Sequence, residues 1–366
     1  MLLFLLSSIA AIFVSYSKGY PNLSLNVAIG NAIALLVPFH AFLVVAWYNR
    51  NMPEGTFLRL MMTGLIVLLL VNLLGYAGGL SNQGHNLEGR LNLPFFQGLY
   101  AASSLMIFLN ILFIRQISRH ITRVTQWWWK VPFIGMNLVL IYLINSRLTM
   151  LLFLVVLALM FFKIVRSRAA YWASLFTIPI VLSMRFLVYE IVSMPVFAGI
   201  MQRVDFRDVT SFNGRAYLWE IGMNWLLVDQ RGLFFGNGMG GQYFIGLLEF
   251  YARLWSGGKS ALLHFHSSSL EIVVNQGLFG YLLYIALLYQ VFIYFRKKYI
   301  QNEADGDVYP SIVFMLFLLQ IDTFVYMTGL GSIILAALVA KVCLRNPAPS
   351  LSRAEPSETV AEMEVV

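Results

Sequence analysis

The feature that most restricts this chain is the repetition of long apolar runs. They fall at approximately 2–17, 26–47, 57–76, 94–114, 131–145, 148–165, 170–194, 268–295, 308–328 and 330–344. Apolar runs near 20 residues match the thickness of a bilayer core. Only 11% of the residues are charged and 59% are hydrophobic, against roughly a quarter charged in an average soluble domain. In lipid a spanning segment must pair its own backbone groups, which a helix does internally. The expected fold is therefore all-α: a polytopic integral membrane protein with about ten transmembrane helices and one large outer loop. The runs at 131–145 and 330–344 are short, so a different tilt or a re-entrant path is open for each. Met1 to Tyr16 lacks a basic n-region, and Ser15-Tyr16-Ser17 is a poor cleavage site. That segment reads as a first membrane helix and not as a removed signal.

The net charge of +8 does not point to nucleic acid, because the basic residues cluster between apolar runs. Arg115, Arg119, Arg123 and Lys130 form one cluster. Lys163, Arg166 and Arg168 form a second, Arg296, Lys297 and Lys298 a third, and Lys341 with Arg345 a fourth. Ten spans put all four on one face, which the positive-inside rule makes cytoplasmic. The opposite short loops hold Lys18, Arg90 and Arg147. Residues 196–265 then form the outer loop within a single transmembrane domain, 1–345. The tail 346–366 has little to bury and is expected to be a disordered cytoplasmic segment. The single cysteine, Cys343, excludes an intrachain disulfide and Cys-based metal centres.

Three stretches of the loop carry chemistry. In Ser211-Phe-Asn-Gly-Arg-Ala-Tyr-Leu-Trp-Glu220, Asn213 is placed to cap a helix starting at Gly214. Arg215 then lies in the first turn, where the helix dipole disfavours a cation. A bound phosphate resolves the conflict; the plainer reading is a surface arginine with Trp219 as an interfacial anchor. Gly236-Asn-Gly-Met-Gly-Gly241 matches Gly-x-Gly-x-x-Gly but lacks a strand–helix–strand setting. Gly236 and Gly238 serve either a tight turn or an anion site built from backbone N–H groups. In His264-Phe-His-Ser-Ser-Ser-Leu-Glu271 the chain re-enters the membrane. A neutral His266 at that mouth can accept a proton from a sugar hydroxyl, or else simply cap the helix. His264 has the same chemistry and ranks second. Glu271 sits roughly 140° around a helix from His266 and is not an evident partner for it.

The remaining charges differ in their depth along the apolar runs. Arg147 lies in a tight outer turn. Arg185 falls within a span, either facing a polar partner such as Glu190 or snorkelling. Asp322 falls within the penultimate run and invites the same reading. Asp305-Gly-Asp307 reads as a solvated cytoplasmic turn, and Asp205 with Asp208 has no supporting cluster, so no metal or cofactor is expected.

Together these residues resemble the bacterial O-antigen ligase and O-antigen polymerase superfamily. Gly214, Arg215 and Trp219 match its Gly-Arg-x-x-x-Trp element, and Gly236 and Gly238 its glycine turn. His266, Leu270, Gly277 and Gly280 match the closing element, and Ser146-Arg147 an earlier outer turn. Ser267 stands where the family usually has Asn, Glu271 where Gln is common, and the Pro before the glycine turn is missing. The resemblance implies an inner-membrane glycosyltransferase acting on the periplasmic face without metal. The donor is a glycan on undecaprenyl pyrophosphate, moved en bloc to a sugar hydroxyl. Arg215 and Arg147 are implied at the pyrophosphate, with Arg185, Gly214, Trp219, Gly236, Gly238 and His264 lining the site and His266 near the acceptor. The reading taken is a polymerase of O-antigen or exopolysaccharide repeats; the alternatives are a ligase using lipid A–core and a polysaccharide transporter or flippase. Expected partners are the donor, a glycan or lipid A–core acceptor, membrane lipid and other assembly proteins. A transporter should spread polar residues through several spans, and no internal repeat of the transporter kind is evident.

Overall fold

The structure, a computed structural model, describes residues 1–19, 24–50, 52–80, 91–96, 99–192, 214–256, 263–323 and 329–343. Regular structure among them is entirely helical. The helices are α1 (Leu2–Ser17), α2 (Leu25–Ala34), α3 (Leu36–Tyr48), α4 (Thr56–Ala77), α5 (Leu99–Arg119), α6 (Lys130–Ile144), α7 (Arg147–Phe161), α8 (Ala169–Leu175) and α9 (Thr177–Val192). They continue with α10 (Arg215–Asn224), α11 (Gly241–Phe244), α12 (Glu249–Ser256), α13 (Ser268–Ile300), α14 (Tyr309–Ile321) and α15 (Leu330–Cys343). Among the described residues five helical stretches are long and apolar enough to cross a membrane: Leu25–Tyr48, Thr56–Ala77, Ala101–Arg119, Ser268–Ile300 and Ala304–Ile321. Four further apolar helices, α1, α6, α7 and α15, are shorter. The expected Asn213 cap, Asp205, Asp208 and the tail 346–366 lie outside the described residues.

The core is built around α5 and α14. Both are buried on nearly every side, Leu105 to Phe113 and Val308 to Leu319 included. Buried polar groups inside this bundle find one another, as they must away from water. Asn137 donates to Asn110 at 2.8 Å, Ser103 to Ser146 at 2.9 Å, and Ser311 to the Phe108 carbonyl at 2.9 Å.

One end of the bundle gathers the basic clusters. Arg115 and Arg119 contact Asp307 at 3.3 and 3.2 Å, Lys341 contacts Asp305 at 3.0 Å, and Lys298 contacts Glu54 at 3.0 Å. Arg296 donates to the Arg166 carbonyl at 2.5 Å. The Asp305–Asp307 turn is thus no solvated connection. Both carboxylates are buried, because the cations near the ends of α5 and α15 need counter-charges where water is scarce.

The other end carries the candidate site. From the basic end α13 turns back into α14, and Ser268, at the start of α13, donates its N–H and Oγ–H to the Asp322 carbonyl, each at 3.1 Å. Tyr309, at the start of α14, donates to the Val165 carbonyl just beyond α7 at 2.7 Å. Helix α7 therefore runs antiparallel to α14, and Arg147 sits at the Asp322 end. Asp322 is not helical: α14 stops at Ile321 and Asp322 is extended, with φ −150°.

The long α13 breaks at Gly277, whose φ is 70° and ψ −175°. The carbonyls of Val274 and Asn275 accept from Asn237 and Gly238 N–H, both at 3.0 Å, instead of from their own helix. In exchange Leu278 and Phe279 N–H donate to Leu233 and Phe234 carbonyls at 2.7 and 3.2 Å. The loop backbone is thereby stitched into the helix, and on its far side Met239 N–H reaches the Ala11 carbonyl of α1 at 3.1 Å.

Candidate active site at the loop-to-helix junction

The turn before α13 is set by two side chains. Ser267 caps the helix, its Oγ accepting from Leu270 N–H at 3.2 Å. Serine and asparagine are both strong caps, so the expected Asn is replaced without losing the helix start. Glu271, fully buried, reaches back to accept from Phe265 N–H at 2.7 Å through Oε1, and Asn275 donates to its Oε2 at 3.2 Å. His264 Nδ1 stands 3.5 Å from the same Oε1. Glu271 is therefore the partner of His264 and of the turn's backbone, not of His266. Between these anchors His266 takes a left-handed backbone, φ 51°, uncommon for a residue with a Cβ.

His266 faces a different carboxylate. Its Nδ1 lies 3.8 Å from Asp322 Oδ1, ion-pair distance rather than a hydrogen bond. Asp322 is fixed in turn, its Oδ1 accepting from Thr323 N–H at 2.8 Å. The imidazole remains 37% exposed in its side chain while Asp322 is nearly covered, so the histidine can meet a solute and the aspartate cannot readily do so.

Arg215 comes to this point from α10. Gly214 is the N-cap residue of α10, with φ 80° that suits glycine. Arg215 is 4% exposed, which rules out a surface arginine, and its Nη1 donates to the Ile321 carbonyl at 3.0 Å. The dipole conflict of a cation at a helix start is resolved by the carbonyl end of another helix, where a cation is favoured. Both Arg215 and His266 act electrostatically on Asp322. Trp219 and Gly222 share the Arg215 face of α10 by helical spacing. Trp219 is buried in the core, 1% exposed, so it neither anchors at an interface nor offers a substrate surface. A Cβ at Gly222 would lie 3.0 Å from Leu270 and 3.3 Å from Phe265. That close approach presses α10 against the histidine turn and delivers Arg215 beside it.

Gly236 and Gly238 have another task than anion binding. Their N–H groups donate to the Gly232 and Asn275 carbonyls. A Cβ on Gly236 would meet the Asn275 carbonyl oxygen at 2.2 Å, and one on Gly238 the Ser15 Oγ at 2.3 Å. These glycines let the loop lie directly on α13 and α1. Arg147 is exposed at the first position of α7, with its Nε donating to Asn145 Oδ1 at 3.3 Å. Arg185 lies on α9, and its side chain, with any pairing to Glu190, is outside the described residues.

Burial opposes a charged His264, but the hydrogen bond and charge of Glu271, helped by Asp322, outweigh it and raise the imidazole above its ordinary range. The site thus joins a guanidinium, two imidazoles and two carboxylates at one mouth. Residue pairing across the chain, Asp322 with His266, left no local signal, because the two adjoin different helices far apart in the chain.

Residues 132–285 match the family model described as O-antigen ligase. The matched stretch runs from α6 into α13, so it includes Arg147, Arg215, the glycine turn and His266. No curated protein matches the chain.

Proposed function

From the O-antigen ligase domain that this membrane chain carries over residues 132–285, we infer a glycosyltransferase that moves a glycan en bloc from undecaprenyl pyrophosphate to a sugar hydroxyl. The observation that carries this reading is the meeting of Arg215, His266 and Asp322 where the loop rejoins the helices. A reaction of this kind needs a base for the incoming hydroxyl and a cation for the outgoing pyrophosphate. His266 takes the hydroxyl proton as the sugar oxygen bonds to the anomeric carbon. The bond from that carbon to the phosphate oxygen breaks, and its electron pair leaves with the pyrophosphate. Asp322 orients His266 and stabilises the imidazolium so formed. Arg215 supplies charge to the leaving group from a guanidinium held in place by its Nη1 donation to the Ile321 carbonyl. Arg147, exposed at the same end, is assigned to the distal phosphate, and Arg185 to the site's rim.

The acceptor in this reading is another lipid-linked repeat, which makes the protein a polymerase in the inner membrane with its site on the periplasmic face. The ligase reading is favoured by the family model's own description and uses lipid A–core as acceptor. The glycan profile of a deletion strain separates them. Loss of long chains with single capped repeats retained is the result expected of a polymerase. Lipid-linked polymer accumulating beside bare core would assign a ligase.

A further inference from the structure

Glu271 has no part in the reaction above, yet it is fully buried and holds three groups at once. We propose that Glu271 is a positioning residue that fixes the His264–His266 turn and holds His264 as an imidazolium, a second cation for the donor pyrophosphate. The proposal rests on the donor assigned above. A carboxylate without water requires a counter-charge or several donors. Phe265 N–H and Asn275 supply two donors, and the cation in reach is His264. His264 keeps 40% of its side chain exposed while Glu271 keeps none, so the pair has a buried anchor and an accessible head. The charged groups acting on His264 are Glu271 from α13 and Asp322 beyond α14, and Asp322 is itself faced by His266 of the same turn and Arg215 from α10. The carboxylates favour the imidazolium, consistent with the raised titration of His264.

The sign follows. A histidine whose titration is raised carries its charge at low pH and loses it as pH climbs through that raised value. Binding of farnesyl pyrophosphate, a short polyprenyl pyrophosphate, to the purified protein between about pH 6 and 9 reads this directly. Wild type should weaken as pH rises. Glu271→Gln keeps an acceptor for Phe265 N–H but removes the charge, and should move the weakening to lower pH, toward the ordinary histidine value of about 6.5. His264→Gln should bind several-fold more weakly at low pH and lose that limb. An unchanged midpoint in Glu271→Gln, or wild-type pH dependence in His264→Gln, overturns the proposal; the second variant decides if the first fails to fold. Transfer by Arg215→Ala and His266→Ala, measured alongside, separates this failure from that of the assigned reaction. If those two are inactive while the midpoints do not move, only the Glu271 proposal falls.

Discussion

At the residue scale, Arg215 and His266 should fail differently. Arg215→Lys keeps a charge but loses the planar fork that can hold Ile321 and a phosphate together. It should be strongly impaired, and Arg215→Ala nearly inactive. His266→Ala should lose about 10²–10⁴-fold in transfer while still binding donor lipid. His266→Gln restores orientation but not proton transfer, so its rate reports which of the two matters. Asp322→Asn should fall less than His266→Ala and shift the pH–rate profile, since it removes a charge facing Nδ1. Transfer with purified protein and lipid-linked donor measures all of these. Near-normal rates in folded Arg215→Ala and His266→Ala would reject the site. Both residues were legible in the sequence because each sits in a local motif. The burial of Trp219 was not, because it depends on where α10 packs.

At the scale of elements, the glycines are the sharpest test. Gly238→Ala must place a Cβ against Ser15 at a φ of 87°. Backbone strain of this kind costs about 1–3 kcal/mol before any steric overlap. Gly238→Ala and Gly277→Ala should both lower thermal stability in detergent, whereas Gly30→Ala, with open space around it, should not. Equal stability of all three would mean that the loop does not dock on α13 as described. Among the described residues each apolar run read from the sequence contains helix, since hydrophobicity and length are local signals. Their ends were less legible. The run 308–328 continues past Asp322, but the chain stops helical pairing there because the Asp322 carbonyl is used by Ser268.

At the scale of the whole molecule, the basic end and the site end lie apart, which gives orientation a direct test. In a Cys343→Ala background, Ser256→Cys should react with an impermeant thiol reagent in cells lacking an outer barrier. Protection until lysis would invert the proposed orientation. Transfer should also persist in chelator; loss in EDTA with recovery in magnesium or manganese would move attention to Asp205 and Asp208. Neither sidedness nor metal use follows from helix packing alone, because both depend on what surrounds the protein.

The exchange of hydrogen bonds at Gly277 has a consequence for biogenesis. As α13 enters lipid it has two carbonyls and two N–H groups that its own turns do not satisfy, each costing several kcal/mol in the apolar phase. Leu233–Met239 is synthesised earlier and, on the proposed orientation, crosses to the far side before it meets them. Met239 in turn needs Ala11 of α1, the first helix made. On the proposed orientation the N-terminal helix is a waiting template, the loop a clasp, and the kinked helix closes on both before α14 and α15 are added.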